Sequence, residues 1–420
     1  MMKVLLINTS DKTGGATIAA SRLMATLLKS GVDARMLVAK SEGRHDARVS
    51  ALPHGLRHRW NFLWERFVIF VKQNFTKTHL FDIDPAMTGS DITRLREFRE
   101  ADVIHLHWVN QGFLSMKSLR QILESGKPVV WTLHDMWPFT GICHYVRNCL
   151  NYKGQCGNCP LLVHNGTWDL SHVVWERKQE LWNRFPRLTF VACSKWLAET
   201  AQDSPLLKGH RVLDIVNPID CDLYSVRNKA EARQALELPA DNKKLILFCA
   251  YNVTLPIKGL KYLKEALELL VERKPRLRNK LGVVLVGKGS EVAGADFCVG
   301  VFPMGFVTDE KRKAQIYNAA DLFVIPSLQD NLPNTIVEAK ASGLPVIGTR
   351  VGGIPQMIDD GADGCLVNPE DSADLSRAME WLLCEADADK VSALSRSNAV
   401  TQYSAEAVAA KYVECYKSLV

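Results

Sequence analysis

The sequence predicts an α/β chain of two doubly wound, parallel-sheet domains. Three observations carry that reading. At 420 residues the chain is too long for one ordinary core, so two domains are expected. Short β-branched runs alternate with amphipathic helical patterns, the βαβ rhythm of a parallel sheet. That rhythm stops at "IVNPIDCDLYSVRNK" (215–229), where Asn-Pro and polar residues break the periodicity, and then starts again.

The first domain is expected over 1–216. "KVLLIN" (3–8) reads as a buried strand, followed by a Gly-containing loop and the helix "ATIAASRLMATLLKSG", closed by Gly31. "DARMLVA", "DVIHLHW", "PVVWTLH" and "LTFVACS" are further strands. The second domain is expected over 217–402, with strands at "KLILFCA" (244–250), "LGVVLVG" (281–287), "DLFVIPS" (321–327) and "LPVIGT" (344–349). A C-terminal helix over 403–420 is expected to pack back toward the first domain. In such sheets ligands sit outside the C-terminal strand ends, so functional motifs should follow strands.

Composition narrows the class. The chain is 47% hydrophobic and 23% charged, with a formal net charge of +6. This mild positive balance suits anionic ligands or a membrane surface. No zinc-finger His pair, arginine-rich tract or RNA-binding aromatic signature is present, and no nucleic-acid partner is expected. "MMKVLLINTS" does not read as a signal peptide, and no run reaches the roughly 18 apolar residues of a membrane span. A cytoplasmic protein is expected, whose eleven cysteines are thiols or metal ligands more readily than disulfides. One segment departs from this picture. "LRHRWNFLWERFVIFVKQNFTKTHLF" (56–81) mixes Trp60, Phe62, Leu63, Trp64, Phe67, Phe70 and Phe75 with Arg57, Arg59, Arg66, Lys72 and Lys77. Such a helix can lie in a membrane interface; the alternative is a helix packed on its own sheet with its basic face solvated.

The C-terminal half carries the most informative stretch, "PSLQDNLPNTIVEAKASGLPVIGTRVGGIPQMI" (326–358). A strand ends at Ser327, and after a polar loop a helix starts near Pro333–Asn334, where Pro and Asn both suit a helix N-terminus. The backbone N–H groups of its first turn favour an anion. Asp330 in the loop and Glu338 a turn into the helix can hold sugar hydroxyls. Taken alone, the stretch is equally a capped helix of a generic α/β sheet.

This stretch resembles the donor motif of family 4 glycosyltransferases, retaining nucleotide-sugar enzymes of GT-B fold, in which two Rossmann-like doubly wound domains face a central cleft. The matches are Asp330, Glu338, Ala339, Gly343, Pro345, Val346, Ile347 and Gly352–Gly353. The first acid of the family motif is Glu, and here it is Asp. The resemblance implies that Glu338 binds the nucleotide ribose. It implies that the loop Asp330–Thr335, with Asn331 and Asn334, meets the donor sugar and its phosphates.

A second match is "FCAYNVTLPIKGLKYLKEAL" (248–267), where Lys258–Gly259 corresponds to the family's diphosphate-binding Lys-Gly pair. An ammonium there stabilises the charge that builds on the leaving pyrophosphate. The usual Arg six positions earlier is Asn252, so one cation of the phosphate site is missing unless another Arg or Lys fills it. Gly287 in "LVGKGSE" and the loop Gly305–Phe306–Val307, whose backbone faces the base in the family, complete the donor series. In the first domain the resemblance brings Gly14–Gly15 near the donor phosphates, His134 in "WTLHDMW" to the donor sugar, and Ser194 to the cleft wall. The competing reading of His134 is a satisfied core histidine, and that of Gly14–Gly15 a plain βα turn.

After "WTLHDMW" come Cys143, Cys149, Cys156 and Cys159, about 143–160, an insertion in the first domain. Cys156-x2-Cys159 has metal-ligand spacing, and four thiolates suit a closed tetrahedral structural zinc site; free thiols or disulfides are the alternatives. The whole stretch resembles family 4 enzymes of bacterial exopolysaccharide synthesis, the colanic acid type among them. The implied function is a retaining transferase acting on a nucleotide-sugar, a UDP-sugar in this reading. Its implied acceptor is a saccharide, lipid-linked in this reading, in exopolysaccharide, capsule or O-antigen synthesis. Residues 56–81 would touch the inner face of the plasma membrane, and no cofactor would be needed for catalysis. The alternative is a non-catalytic GT-B protein that binds a sugar or a partner, motivated by Asn252 and Asp330; a nucleotide-sugar epimerase on the same fold is a third reading.

Overall fold

A computed structural model describes all residues except 12–13, 42–45, 54, 241–242 and 295. The chain divides into two compact units, Met1–Val216 with Val408–Val420, and Asn217–Ala407.

The N-terminal unit is built on seven strands: β1 (Lys3–Ser10), β2 (Asp33–Lys40), β3 (Val49–Ala51), β4 (Val103–Leu106), β5 (Val129–Leu133), β6 (Thr189–Ala192) and β7 (Arg211–Asp214). They are hydrogen-bonded in the order β3-β2-β1-β4-β5-β6-β7, and every pair is parallel. Its helices are α1 (Gly15–Lys29), α2 (Gly55–Lys72), α3 (Arg96–Glu100), α4 (Met116–Glu124), α5 (Leu170–Arg184) and α6 (Lys195–Gln202). The central strands are apolar on both faces, as a sheet covered on both sides requires. One face buries Trp131, Trp137, Trp182 and Phe190 under α4 and α5. The other buries Leu23 and Leu27 of α1 together with Tyr412 and Tyr416 from the end of the chain.

The C-terminal unit repeats the plan. Its elements run α7 (Lys229–Ala235), β8 (Lys244–Asn252), α8 (Leu260–Arg273), β9 (Leu281–Lys288), α9 (Ser290–Ala293), β10 (Gly300–Pro303), α10 (Glu310–Ala319), β11 (Leu322–Ile325), α11 (Asn334–Ala341), β12 (Val346–Thr349), β13 (Gly364–Val367), α12 (Ser372–Cys384) and α13 (Ala388–Tyr403). A final helix, α14 (Ala405–Lys417), begins in this unit and ends in the N-terminal one. The strand order β10-β9-β8-β11-β12-β13 is again all parallel. Strand order therefore reverses between β1 and β4 in one unit and between β8 and β11 in the other. Those are the switch points at which doubly wound sheets open a crevice.

Helix α2 runs against the usual rule. Leu56, Trp60, Leu63, Trp64, Phe67 and Val71 recur at helical spacing and are all exposed, Trp60 at 72%. The buried face carries Glu65, Arg66 and Gln73 beside Ile69. Each of these three polar side chains is tied to a distant segment. Glu65 Oε1 accepts the Met87 N–H at 3.0 Å, Arg66 Nη2 meets Asp84 Oδ2 at 3.0 Å, and Gln73 Oε1 accepts the Val163 N–H at 3.0 Å. The expectation of a helix lying on its own sheet with only its basic side in water is thus half met. Arg57, Arg59 and Lys72 are in water, but so is the apolar stripe. Among the described residues no helix is long and apolar enough to cross a membrane.

Candidate active site

In the C-terminal unit the loops that leave β8 and β11 flank the switch point and are stitched together. The Leu328 N–H donates to Ile257 O at 2.8 Å. Gly259 follows a single 3-10 turn, Pro256–Lys258, with φ 74°, and a Cβ there would run into the Pro326 carbonyl oxygen. Only glycine lets the two loops approach this closely. The result is a direct ion pair: Lys258 Nζ lies 2.7 Å from Asp330 Oδ2, both side chains being partly exposed. The shorter aspartate arm thus reaches the lysine.

The Gly-Gly segment supports the same loop. Gly352 has φ 54°, its Cβ would overlap the Asp330 carbonyl oxygen, and the Gly353 N–H donates to that oxygen at 3.3 Å. Helix α11 then begins at Asn334 with Pro333 before it and no side-chain cap, so its first-turn N–H groups include donors that no capping side chain takes up. Thr335 lies in this turn, and Asn334 Oδ1 accepts from Asn217 Nδ2 at 3.2 Å. Asn331 is buried. Glu338 is also buried, and its Oε2 accepts the Tyr317 hydroxyl at 2.8 Å.

Asn252, at the end of β8, acts locally. Its Oδ1 accepts the Thr254 N–H at 2.9 Å and the Thr254 hydroxyl at 2.7 Å, closing a turn. The β8–β9 register sets Lys288 opposite it. Lys288 Nζ donates to the Tyr251 hydroxyl at 2.6 Å and stands 4.4 Å and 5.4 Å from the Tyr251 and Phe306 ring centroids. Tyr251 and Phe306 meet edge to face at 5.2 Å and are both exposed. The backbone keeps this arrangement, since the Gly287 N–H donates to Gly305 O at 2.8 Å and Val307 is buried behind it. Tyr251 and Lys288 lie inside the matched stretches 248–267 and 285–291, but the sequence reading singles out neither. Their signal was position alone, each at a strand end.

In the N-terminal unit His134 follows β5 and is partly exposed. Its Nε2 lies 2.9 Å from His107 Nδ1, and its Nδ1 lies 3.7 Å from Cys193 Sγ. Both ring nitrogens therefore have neighbours within the unit. His105 sits behind them, between the Thr132 hydroxyl at 2.7 Å and the Tyr416 hydroxyl at 2.7 Å. Burial holds His134 down at about 4 and His105 at about 3, and it lowers His107 as well, so the array is neutral near pH 7. Asp135 is buried and accepts from Trp108 Nε1 at 2.8 Å, the Trp137 N–H at 2.9 Å and His144 Nδ1 at 2.7 Å. Burial opposes both charges of the Asp135–His144 pair. Their mutual attraction and hydrogen bond, joined at Asp135 by the bonds from the Trp137 N–H and Trp108, outweigh it, lowering the aspartate and raising the histidine.

Gly14 precedes α1 and is exposed, as is Gly15 at the start of the helix; the two residues before them lie outside the described set. Ser194 is fully buried, and its hydroxyl accepts the Leu197 N–H at 3.0 Å as the N-cap of α6. It serves the helix in this structure. Asp-x-Asp triplets stand at 82–84, 220–222 and 387–389, outside the donor motifs. Each is engaged in holding the fold. Asp84 pairs with Arg66, Asp220 caps the Asp222 and Leu223 N–H groups, and Asp387 caps α13. Among the described residues no group of three or more Cys, His, Asp or Glu side chains stands at metal-binding spacing, and none of the eleven cysteines is in a disulfide.

Comparison with known proteins gives this arrangement a context. A family model described as Glycosyltransferase Family 4 matches residues 13–223, and one described as Glycosyl transferases group 1 matches residues 243–385. D-inositol 3-phosphate glycosyltransferase 2 of Catenulispora acidiphila is 34% identical over 184 residues, which are 40% of this chain and 42% of that protein. The "Putative colanic acid biosynthesis glycosyl transferase WcaC" of Escherichia coli K12 is 25% identical over 327 residues, 76% of each chain. The match thus spans less than half the length of the first relative and about three quarters of the second. Among solved structures, sucrose-phosphate synthase from Thermosynechococcus elongatus superposes with a TM-score of 0.68 at 18% identity, covering 100% of this chain and 99% of that one. Anabaena Alr3699/HepE in complex with UDP gives 0.64 at 18%, covering 99% and 100%. These structural likenesses establish the fold, GT-B, and the sequence match over half of the chain establishes the lineage: the protein belongs to glycosyltransferase family 4.

Proposed function

We propose that the chain is a retaining glycosyltransferase that moves a sugar from a UDP-sugar to a lipid-linked saccharide of bacterial exopolysaccharide, capsule or O-antigen synthesis. The Lys258–Asp330 pair at the switch point of the C-terminal sheet is the observation that carries this reading. The diphosphate displaces Asp330 from Lys258 and takes both the ammonium and first-turn N–H groups of α11 as partners. Asp330, released, accepts hydroxyls of the donor sugar with Asn331. Glu338 binds the ribose, its carboxylate oriented by Tyr317. The exposed Tyr251–Phe306 pair receives the base, and Lys288 supplies the cation that Asn252 does not.

As the anomeric C–O bond breaks, negative charge grows on the diphosphate, where Lys258 stabilises it. The acceptor hydroxyl attacks from the face the diphosphate leaves, and its proton passes to the departing phosphate oxygen. The choice of uridine is supported by the Anabaena protein, whose structures carry UDP and UDP-glucose. The choice of pathway is supported by the name of the Escherichia coli relative. Mass spectrometry of nucleotide released from a panel of UDP- and GDP-sugars tests the reading. Turnover of a UDP-sugar supports it, and neither binding nor turnover of any donor refutes it.

The lipid-linked acceptor rests on α2. Its outward stripe of Trp60, Trp64 and Phe67 is flanked by exposed Arg57, Arg59, Lys72 and Lys77, while Glu65, the one carboxylate in 55–78, is buried. An apolar face rimmed by positive charge fits an anionic bilayer surface. Sedimentation with vesicles tests it: phosphatidylglycerol vesicles should retain the protein and pure phosphatidylcholine vesicles should not.

A further inference from the structure

Residues 134–169 join β5 to α5 with two single 3-10 turns, Trp137–Phe139 and Asn151–Lys153, as their only helical elements. A connection this long and irregular needs another source of order. Cys143, Cys149, Cys156 and Cys159 are spread along it, yet all four line one cavity of about 20 Å³, together with Ile142 and Val146. We propose that this cavity closes on one structural zinc ion held by the four thiolates.

The surroundings suit a zinc–thiolate centre. Asn158, between Cys156 and Cys159, has φ 47°, so the C-x-x-C segment turns sharply, and its N–H is fixed on Gly166 O at 2.7 Å. The Cys159 N–H is fixed on Asp169 Oδ2 at 2.8 Å. The Gly141 N–H donates to Cys156 Sγ at 3.3 Å, the kind of outer-shell bond that steadies a metal-bound sulfur.

The charge balance around the cavity fits the same centre. Lys178 is completely buried, donates to the carbonyls of Trp137 at 2.6 Å and Thr140 at 3.0 Å, and lies 3.5 Å from the Trp137 ring centroid. Among the described residues no carboxylate stands within ion-pair distance of it; burial pulls the ammonium down, while Cys143, Cys156, Asp84 and Asp135 act on it in the other direction. A buried ammonium whose nearest carboxylates, Asp84 and Asp135, are already paired with Arg66 and His144 is costly. A zinc ion with four thiolates carries two net negative charges, one of which Lys178 offsets. The thiols give up four protons as the ion binds. The sulfurs do not stand at coordination spacing, so binding has to draw the side chains inward around the cavity.

The inference is independent of the proposed reaction. Full-length protein purified without chelator should contain about one zinc per chain by elemental analysis. Exchange with Co²⁺ should give the visible bands of a tetrahedral thiolate centre. Cys156→Ser combined with Cys159→Ser should lose both. Because that variant can also fail to fold, the wild-type protein provides a second reading: a strong zinc chelator should lower its melting temperature. Zinc well below one per chain with no cobalt–thiolate band would overturn the proposal, as would peptide mapping that finds the four cysteines in two disulfides.

Discussion

Lys258 Nζ and Asp330 Oδ2 stand 2.7 Å apart, although 72 residues separate them in sequence. The pair exists because β8 and β11 are neighbours at the switch point and because Gly259 and Gly352 let their loops touch. Both members belong to the donor motifs, so the geometry joins two signals that the sequence carries far apart.

Lys258→Ala should lower kcat/KM for the nucleotide-sugar by about 10² to 10³, the cost of removing one donor aimed at developing charge. Asp330→Asn should cost less in nucleotide affinity, because it leaves Lys258 in place and removes its competitor. Calorimetric titration with UDP separates the two: Lys258→Ala weakens binding, and Asp330→Asn leaves it equal or tighter.

Gly259→Ala and Gly352→Ala should each destabilise the protein by about 2 kcal/mol or more, since both add a positive-φ penalty to a clash with backbone. Thermal unfolding checks the loss. Nucleotide affinity should fall in parallel, because both substitutions push on the loop that carries Asp330.

Lys288→Ala should weaken UDP binding by about tenfold, roughly the 1.4 kcal/mol of one exposed charged contact. Tyr251→Phe, which removes the hydroxyl that Lys288 Nζ donates to, should have a smaller effect of the same sign. Unchanged affinity in Lys288→Ala would leave the place of the missing Arg unfilled.

Acid should destabilise the N-terminal unit earlier than ordinary carboxylate titration would. His105 and His107 are held neutral when folded and can bind protons when unfolded, so stability is full above the unfolded value near 6.5 and declines below it. Each contributes a slope of up to about 1.4 kcal/mol per pH unit. The Asp135–His144 pair has another window. Asp135 is lowered, so its share is lost as the pH falls through its folded value; His144 is raised, so its share is lost as the pH rises from 6.5 through its folded value. Denaturant unfolding at pH 5, 6, 7 and 8 reads both slopes, and Asp135→Asn should flatten the alkaline one.

Much of this was legible from residue order. The long buried strands β1, β2, β8 and β9 announce themselves as apolar runs, and the donor residues follow strands at the spacing a doubly wound sheet imposes. Strands β3, β7, β10 and β13 are short and lie at the edges of the two sheets, and β3, β7 and β10 are only partly buried, so no apolar run marks them in the sequence. The orientation of α2 was hidden for a different reason. Its aromatic and basic residues are plain in the sequence, but which face turns inward depends on Asp84, Met87 and Val163, segments that only the fold brings to Glu65, Arg66 and Gln73. Ser194 and Asn252 show the same limit, since a strand-end position does not say whether a polar side chain faces a ligand or caps its own backbone.

A crystal structure of the protein with UDP would test the nucleotide site at atomic level. The diphosphate should lie within hydrogen-bonding reach of Lys258 Nζ and the first-turn N–H groups of α11, with Asp330 turned away from the lysine. A diphosphate bound elsewhere, with the Lys258–Asp330 pair intact, would contradict the reading.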